Sequence, residues 1–397
     1  MITAIRNAKA VLLLGVLFAL APLAPVPAAT SKPQVKVVAF GLFGDQNVFE
    51  SEAKGAAEIA ASRFGGGDAI VRFNSKSREE ATPETLATAL QSAAMGIDAQ
   101  RDILLVILTS HGSRAGVAVK TPSREAILSP LDLFTMLDAT HVRHRIVIVS
   151  ACFSGVFIPP LADPDTLVIT AADADHPSFG CRNGNTWTYF GDAFFNMALR
   201  QTADLRDAFA LASAAIRERE TQEHFVPSNP QMAGGENVER LLSGAPESGV
   251  AGKPDARYAP AFAGRAEAYG ARQDFDHAIA AYDTAIRLDP KLAPAYAGRG
   301  LTYHVEGDLD HAIADYSEAL RLEPRFYFAY YQRGRAYGAK RDNNRAIADF
   351  DAAIKLNPRF ADAFEKRALA YRALGDTARA EADLKEVARL RAFAPQQ

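Results

Sequence analysis

The last third of the chain repeats with a period of 34 residues, which constrains its fold more than any other feature. The period shows most plainly at four sets of positions, which are Arg265, Arg299, Arg333 and Arg367; Tyr269, Tyr303, Tyr337 and Tyr371; Ala278, Ala312, Ala346 and Ala380; and Pro290, Pro324 and Pro358. A fixed period of this length is typical of stacked helical pairs, in which each pair buries its apolar face against its neighbours. Residues 259–394 are therefore predicted to form an all-α solenoid of four helix–turn–helix units.

The register of these residues resembles that of tetratricopeptide repeats. Aromatic side chains recur at two further positions of each copy, with one leucine among them: Phe262, Tyr296, Tyr330 and Phe364; and Tyr282, Tyr316, Phe350 and Leu384. Small alanines let paired helices approach, and the aromatic rings fill the seams between successive repeats. The resemblance implies a surface that binds a protein partner or recruits a peptide or protein substrate, rather than a site of chemistry.

A different pattern occupies residues 33–240, where short apolar runs alternate with helical segments. The predicted strands are rich in Val, Ile and Leu, as expected for strands buried on both faces, and lie at 35–40, 69–73, 103–110, 145–152 and 166–171. Helices are predicted between and after them, at 49–64, 82–96, 129–140, 191–201 and 205–220. This alternation predicts an α/β domain with a parallel sheet and helices on both faces. Residues 241–258 lack periodicity and are rich in Gly, Pro and Ser, so they are predicted to be a linker.

The N-terminus has the layout of a secretory signal peptide. Arg6 and Lys9 precede the apolar run at 11–20, and a tail of small residues and prolines follows it. The apolar run is short for a membrane span, which needs about 20 residues. We therefore expect residues 1–29 to be a cleaved signal, and the protein to be exported to the periplasm or secreted without a stable membrane span.

Charge and ligand-forming residues exclude some function classes. The net charge of −3 argues against non-specific nucleic-acid binding, which needs a basic surface. Asp173, Asp175 and His176 lie close together, but three such residues on one loop are a weak metal signal. No metal and no cofactor are expected.

Cys152 and His111 each follow a strong apolar run. In a parallel sheet both would lie at the carboxyl ends of neighbouring strands, where open sheets bind ligands. Cys152 could then be a nucleophile with His111 as its partner, and Gly112 would leave an N–H accessible as an oxyanion donor. The alternative is a buried core thiol beside an ordinary loop histidine. A disulfide between Cys152 and Cys181 is a further alternative, and it would prevent thiolate chemistry.

The segments LTSHG (108–112) and VSACFSG (149–155) resemble the His-Gly and Ala-Cys motifs of caspase-like cysteine peptidases, and the legumain family, peptidase family C13, fits best. The stretch from Thr166 to Phe195 also resembles the segment that follows the nucleophile in that family. The resemblance implies a caspase-like fold, Cys152 as nucleophile, His111 as acid/base, and an oxyanion hole formed by the backbone N–H groups of Gly112 and Cys152. It also makes the disulfide unexpected, because a bridge would silence the enzyme.

The resemblance further implies substrate-binding roles for Asp192 and Ser178, which match residues that line the specificity pocket in the family. The family's Arg-His pair near the first helix aligns roughly with Phe49 and Glu50, and Asn47 matches a family asparagine only in that alignment. Phe153 stands where the family carries an acidic residue. These departures put asparagine specificity in doubt. A basic substrate residue is the hypothesis if Glu50 and Asp192 both face the pocket.

Together these features predict an exported cysteine endopeptidase whose repeats recruit substrate or partner proteins. Two alternatives stay open at this point: a non-catalytic scaffold with a dead peptidase fold, and a transamidase or peptide ligase.

Overall fold

The structure is a computed structural model that describes residues 32–65, 67–245 and 255–392. The predicted signal peptide and residues 246–254 of the predicted linker lie outside these ranges. Within them, no helix combines the length and the apolar character needed to span a membrane.

A seven-stranded sheet forms the centre of the first domain. Its strands are β1 (Val35–Gly41), β2 (Ile70–Ser75), β3 (Arg78–Glu79), β4 (Ile103–Thr109), β8 (His144–Ser150), β9 (Thr166–Thr170) and β10 (Gln231–Ala233). They lie in the order β10-β9-β8-β4-β1-β2-β3; the five strands β2, β1, β4, β8 and β9 pair in parallel, and β3 and β10 are short antiparallel edges. The predicted parallel α/β sheet is thereby confirmed, whereas the two edge strands were not predicted.

A three-stranded antiparallel sheet stands apart from the main one, immediately after β4. Its strands are β5 (Gly112–Ser113), β6 (Gly116–Lys120) and β7 (Glu125–Leu128). The Ala118 N–H donates to the His111 carbonyl at 2.9 Å, which ties the start of this sheet to the loop that carries His111. The sequence pattern gave no strand in this region, because the strands are very short and turn-rich.

Helices cover both faces of the main sheet, and the sheet separates the apolar core of the domain into two layers. They are α1 (Asn47–Phe64), α2 (Pro83–Ala94), α3 (Pro130–Asp138), α4 (Ile158–Leu161), α5 (Tyr189–Gly191), α6 (Leu199–Gln201), α7 (Leu205–Gln222) and α8 (Glu236–Ser243). A 3₁₀ turn at Ser154–Phe157 precedes α4, and a π-helical segment at Asp192–Ala198 joins α5 to α6. The predicted starts of α2 and α3 are confirmed, since Thr82 and Ser129 form capping boxes with proline following.

Four antiparallel helix pairs follow, and each pair corresponds to one copy of the sequence repeat. A 3₁₀ turn at Ala256–Tyr258 leads into α9 (Ala259–Ala271), α10 (Phe275–Leu288), α11 (Ala293–Glu306), α12 (Leu309–Leu322), α13 (Tyr327–Ala339), α14 (Asn343–Leu356), α15 (Ala361–Ala373) and α16 (Thr377–Ala392). The repeated alanines are buried where the paired helices cross, as the pattern predicts. The predicted solenoid is thereby confirmed.

Candidate active site

The register of the two central strands brings the segments that carry His111 and Cys152 to the same edge of the sheet. In the parallel pair β4 and β8, Thr109 lies opposite Ser150. His111 and Cys152 each follow their strand by two residues, so they leave the same edge of the sheet at the same level. The Ser110 N–H donates to the Ser150 carbonyl at 3.2 Å and continues the pairing to the edge. The sequence prediction of neighbouring strands is confirmed.

Gly112 allows the two strand tips to touch. A β-carbon at this position would overlap the Cys152 carbonyl oxygen and press against the Ala151 side chain. Only glycine therefore fits between the histidine loop and the cysteine turn. The backbone of Gly112 therefore lies against the Cys152 carbonyl, and the oxyanion role of the two N–H groups stays a prediction.

Three polar groups of Ser178, its N–H, its carbonyl and its hydroxyl, lie close to the sulfur of Cys152. The Ser178 N–H donates to Sγ at 3.3 Å, and the Ser178 hydroxyl lies 3.7 Å from the same sulfur. In the thiol form, the S–H donates to the Ser178 carbonyl at 3.3 Å. Ser178 is therefore in direct contact with Cys152, and its two donors could stabilise a thiolate.

The turn that carries Cys152 has an unusual backbone. Phe153 adopts a positive φ of 54°, which is uncommon for a bulky residue, and its N–H donates to the His176 carbonyl at 2.9 Å. Among the described residues, the Cys152 N–H has no hydrogen-bond acceptor. A free N–H at this place can donate to a developing oxyanion.

Two phenylalanine rings hold the imidazole of His111. The ring centroids of Phe43 and Phe49 lie 4.6 Å and 5.1 Å from that of His111, and both contacts are edge-to-face. Burial lowers the pKa of His111 below its ordinary value, which favours the neutral imidazole. Phe49, which aligns roughly with the family's arginine, is fully buried in this chain and packs against the His111 ring.

The remaining predicted substrate-binding residues lie on α1 and at the start of the π-helical segment. Asn47 begins α1, and its Oδ1 accepts a hydrogen bond from the Gly184 N–H at 3.4 Å. Glu50 pairs with Lys54 at 2.6 Å along the same helix. Asp192 accepts a hydrogen bond from the Asn196 side chain at 2.9 Å. Within the described residues, no hydrogen bond or ion pair joins Asn47, Glu50 or Asp192 to Cys152, so their specificity roles stay predictions.

Cys181 and Cys152 are both free thiols. Burial, together with the nearby Cys152 and Glu52, raises the pKa of Cys181 to about 12. The Cys181 side chain therefore stays protonated and weakly nucleophilic at neutral pH.

Two polar groups near the site were not predicted from the sequence. Asp173 pairs with His176 Nδ1 at 2.7 Å in the loop after β9, and the His176 carbonyl of the same loop accepts from the Phe153 N–H beside Cys152. Glu52 of α1 is fully buried under the ends of β4 and β8. The sequence feature that could have indicated Glu52 is the position of its carboxyl group on the apolar face of a predicted helix. Among the described residues, no group of side chains is arranged to hold a metal ion.

The chain thus combines a parallel sheet, with a histidine and a cysteine following neighbouring strands at one edge, and a helical repeat array. The sequence model of the Peptidase C13 family matches residues 75–238. Three tetratricopeptide repeat models match residues 266–307, 293–326 and 331–395. The chain therefore contains a peptidase C13 domain followed by tetratricopeptide repeats, which confirms the resemblance seen in its motifs. It matches no curated protein.

Several solved structures are similar to parts of this chain. A crystal structure of MamA is 19% identical and covers 47% of this chain and 91% of its own, with a TM-score of 0.33. The first TPR of Spaghetti (RPAP3), bound to the HSP90 peptide SRMEEVD, is 23% identical and covers 31% of this chain and 98% of its own, with a TM-score of 0.30. The Arabidopsis OM64 TPR domain is 21% identical and covers 30% and 97%, with a TM-score of 0.29.

Proposed function

We propose that this protein is an exported cysteine endopeptidase in which Cys152 is the nucleophile and His111 the acid/base. The observation that carries the proposal is the register that pairs Thr109 with Ser150, because His111 and Cys152 follow these residues by two positions at the same edge of the sheet. Export rests on the pattern of the N-terminal residues, which resembles a cleaved signal.

The reaction is an acyl transfer in two stages. The Cys152 sulfur, having given its proton to His111, attacks the peptide carbonyl carbon and forms a C–S bond. The N–H groups of Cys152 and Gly112 donate to the carbonyl oxygen as it becomes negative. His111 then returns the proton to the leaving amine as the C–N bond breaks, which leaves a thioester. Water, with His111 as base, hydrolyses the thioester and restores the thiol.

The repeats add a binding surface with a positive groove. The groove has a volume of about 410 Å³, and its lining includes His304, Arg335, Asn343, Phe350, Lys366 and Leu369. Within the described residues, neither Arg335 nor Lys366 forms an ion pair, and the Arg335 guanidinium donates instead to the Gln332 side chain at 2.7 Å. Unpaired cations beside apolar side chains favour an extended peptide that carries a carboxylate next to an apolar residue. We propose that this groove recruits a substrate or partner of that kind.

A peptide library varied at the residue before the scissile bond tests the proposal. The chain without residues 1–29 should cleave a subset of the peptides, Cys152→Ala should cleave none, and Cys181→Ala should keep most of the activity. The library includes Asn, Asp, Lys and Arg, so the preferred residue also tests the basic-specificity hypothesis for Glu50 and Asp192. An added amine that appears in the product would indicate a transamidase. Absence of cleavage under reducing conditions, at neutral and mildly acidic pH and after limited proteolysis, would contradict the proposal and favour a scaffold.

A further inference from the structure

A buried carboxyl group lies directly beneath the candidate active site. Glu52 belongs to α1 and is fully buried. Its Oε2 accepts a hydrogen bond from the Thr188 N–H at 2.7 Å. Gly191 makes room for the carboxyl, because a β-carbon there would overlap Oε2. The acid is thus built into the packing between α1 and the segment at 188–191.

The hydroxyl groups around Glu52 form a network. The Ser150 and Thr188 hydroxyls lie 3.1 Å apart, and the Thr188 hydroxyl also accepts from the Gly191 N–H at 2.9 Å. Burial raises the pKa of Glu52, while the hydrogen bond from the Thr188 N–H opposes that rise. Among the described residues, neither the other carboxyl oxygen of Glu52, Oε1, nor the Thr109 hydroxyl has a hydrogen-bond partner. The carboxyl is therefore linked to the Ser150 hydroxyl through Thr188.

The two segments that carry these hydroxyls also carry part of the site. Ser150 is the last residue of β8, two positions before Cys152. Thr188 caps the helix that follows the Ser178 segment, and its side chain accepts from the Gly191 N–H. A shift of Glu52 would consequently be felt by the cysteine tip and by the Ser178 segment.

Packing alone does not explain an acid at this position. Within the described residues, no cation pairs with Glu52, and an apolar residue on the stripe of α1 would avoid the cost of burying a carboxyl. The hydrogen bonds that join Glu52 to Thr188 and Thr188 to Ser150 instead tie α1 to the segments around Cys152.

We propose that Glu52 is a positioning residue of the catalytic site: through Thr188 and Ser150 it fixes the placement of Cys152 relative to the Ser178 segment. This inference rests on the proposed peptidase function for its kinetic consequences. The arrangement that it describes is also open to a test that needs no substrate.

The test compares Glu52→Ala and Glu52→Gln in the full chain. The first readout is the rate at which iodoacetamide alkylates Cys152, located by peptide mapping, between pH 5 and pH 9. The second readout is kcat and KM for a cleaved peptide, measured separately. Glu220→Ala is the matched control, because Glu220 is also a buried glutamate of this domain and accepts the Ser228 N–H at 3.1 and 3.2 Å.

A displaced site should react slowly while the fold persists. We expect Glu52→Ala to lower both kcat and the alkylation rate at least about tenfold with little change in KM, since small displacements of reacting groups are costly. Glu52→Gln keeps an oxygen for the Thr188 N–H, so it should recover a large part of both rates. Glu220→Ala should lower the melting temperature without slowing the alkylation of Cys152.

Three results would overturn the inference. A folded Glu52→Ala that alkylates at the wild-type rate would do so, and so would a Glu220→Ala that slows alkylation equally. If Glu52→Ala does not fold, Ser150→Ala is the second variant: a severalfold slower alkylation is expected, and a wild-type rate counts against the inference. If the wild-type chain cleaves no peptide, the proposed function fails, yet the alkylation comparison still decides the role of Glu52.

Discussion

Arg265 of the first repeat forms a buried ion pair with Asp163 of the peptidase domain, with 2.6 Å between Nη2 and Oδ2. The same guanidinium donates to the carbonyls of Pro160 and Leu161 at 3.0 and 2.9 Å. In the other three repeats the equivalent arginine pairs with an aspartate sixteen residues later, as in Arg299–Asp315, Arg333–Asp349 and Arg367–Asp383. The first repeat has Ala281 at that place, and its arginine is released for the other domain. The repeat array is thus docked on α4, which closely follows Cys152.

Replacement of Arg265, which lies in the first repeat, should lower the stability of the peptidase domain. Arg265→Met leaves Asp163 buried without its cation, which typically costs about 3–5 kcal/mol of unfolding free energy. Trp187 is the single tryptophan of the chain and lies in the peptidase domain, so its fluorescence reports on that domain during urea unfolding. We expect a lower fluorescence midpoint for Arg265→Met.

Arg333→Met is the matched control for this experiment. It breaks the bidentate pair with Asp349, at 2.8 and 2.9 Å, inside the repeats. It should shift the unfolding followed by circular dichroism, to which the repeat helices contribute strongly, and leave the Trp187 midpoint unchanged. Equal Trp187 midpoints for the wild type and Arg265→Met would show that the docking contact adds no stability to the peptidase domain.

The docking contact illustrates what the sequence can and cannot predict. The 34-residue period predicts four helical pairs, and the equal spacing of Arg265 and Arg299 suggests equal roles. The first copy differs in having Ala281 where the other copies have an aspartate. The sequence shows that Arg265 lacks this partner, but it does not show which residue Arg265 contacts instead. The positions of His111 and Cys152 were predictable because both end long apolar strands in a parallel sheet.

The support of the site was harder to predict. Phe43 and Phe49 hold His111 through contacts between segments far apart in the sequence. Glu52 looks like one more charge on a helix until the structure shows that its carboxyl faces the sheet. Strand β5 has only two residues, and β6 and β7, of five and four residues, lie next to turns and were not predicted from the sequence. Such features depend on tertiary packing, which local propensity and spacing do not encode.

A methyl group at position 112 should disable the site. Gly112→Ala would force the β-carbon against the Cys152 carbonyl, so the two strand tips must separate. Since loss of one oxyanion donor alone costs about 10²–10³ in kcat, we expect a loss of at least about a hundredfold. The measurement is kcat on the best peptide of the library.

Gly270→Ala is the control for this variant. Gly270 lies in α9, and a β-carbon there would meet no atom within 4 Å. This variant should keep full activity and gain up to about 1 kcal/mol of stability from the better helix former. Wild-type activity in Gly112→Ala would contradict the proposed contact between the tips.

The burial of His111 should make stability depend on pH. Its pKa in the folded chain lies below the ordinary value of 6.5, so between these two values the unfolded chain binds more protons. The contribution of His111 is therefore present above pH 6.5 and is lost as the pH falls toward the folded pKa. In His111→Phe, which can pack between Phe43 and Phe49, this dependence is absent.

Urea unfolding of the two proteins between pH 8 and pH 5 measures the effect. The free energy of unfolding of the wild type, minus that of His111→Phe, should decrease as the pH falls below 6.5. Burial and Arg335 also lower the pKa of His304, but that residue is present in both proteins and cancels in the difference. A difference that is constant, or that grows at low pH, would show that His111 is not buried as described.

The groove of the repeats should bind acidic peptides through Arg335 and Lys366. Binding is measured on the full chain carrying Cys152→Ala, with an array of peptides that differ in carboxylate number and in the neighbouring apolar residue. Lys366→Glu and Arg335→Glu should each weaken the best binder at least about tenfold, because a favourable charge contact becomes repulsive. The affinity of the wild type should fall with added salt.

A second charge reversal separates the groove from the general charge of the repeats. Lys291 is exposed at the turn between α10 and α11 and does not line the groove, so Lys291→Glu changes the net charge equally. If long-range attraction alone governs binding, Lys291→Glu and Lys366→Glu will weaken it alike. If the groove is the site, only Lys366→Glu will, and the loss will be larger for peptides whose apolar residue can contact the exposed Leu369. Selection of basic or uncharged peptides by the wild type would contradict the proposed partner class, whatever the result of the cleavage assay.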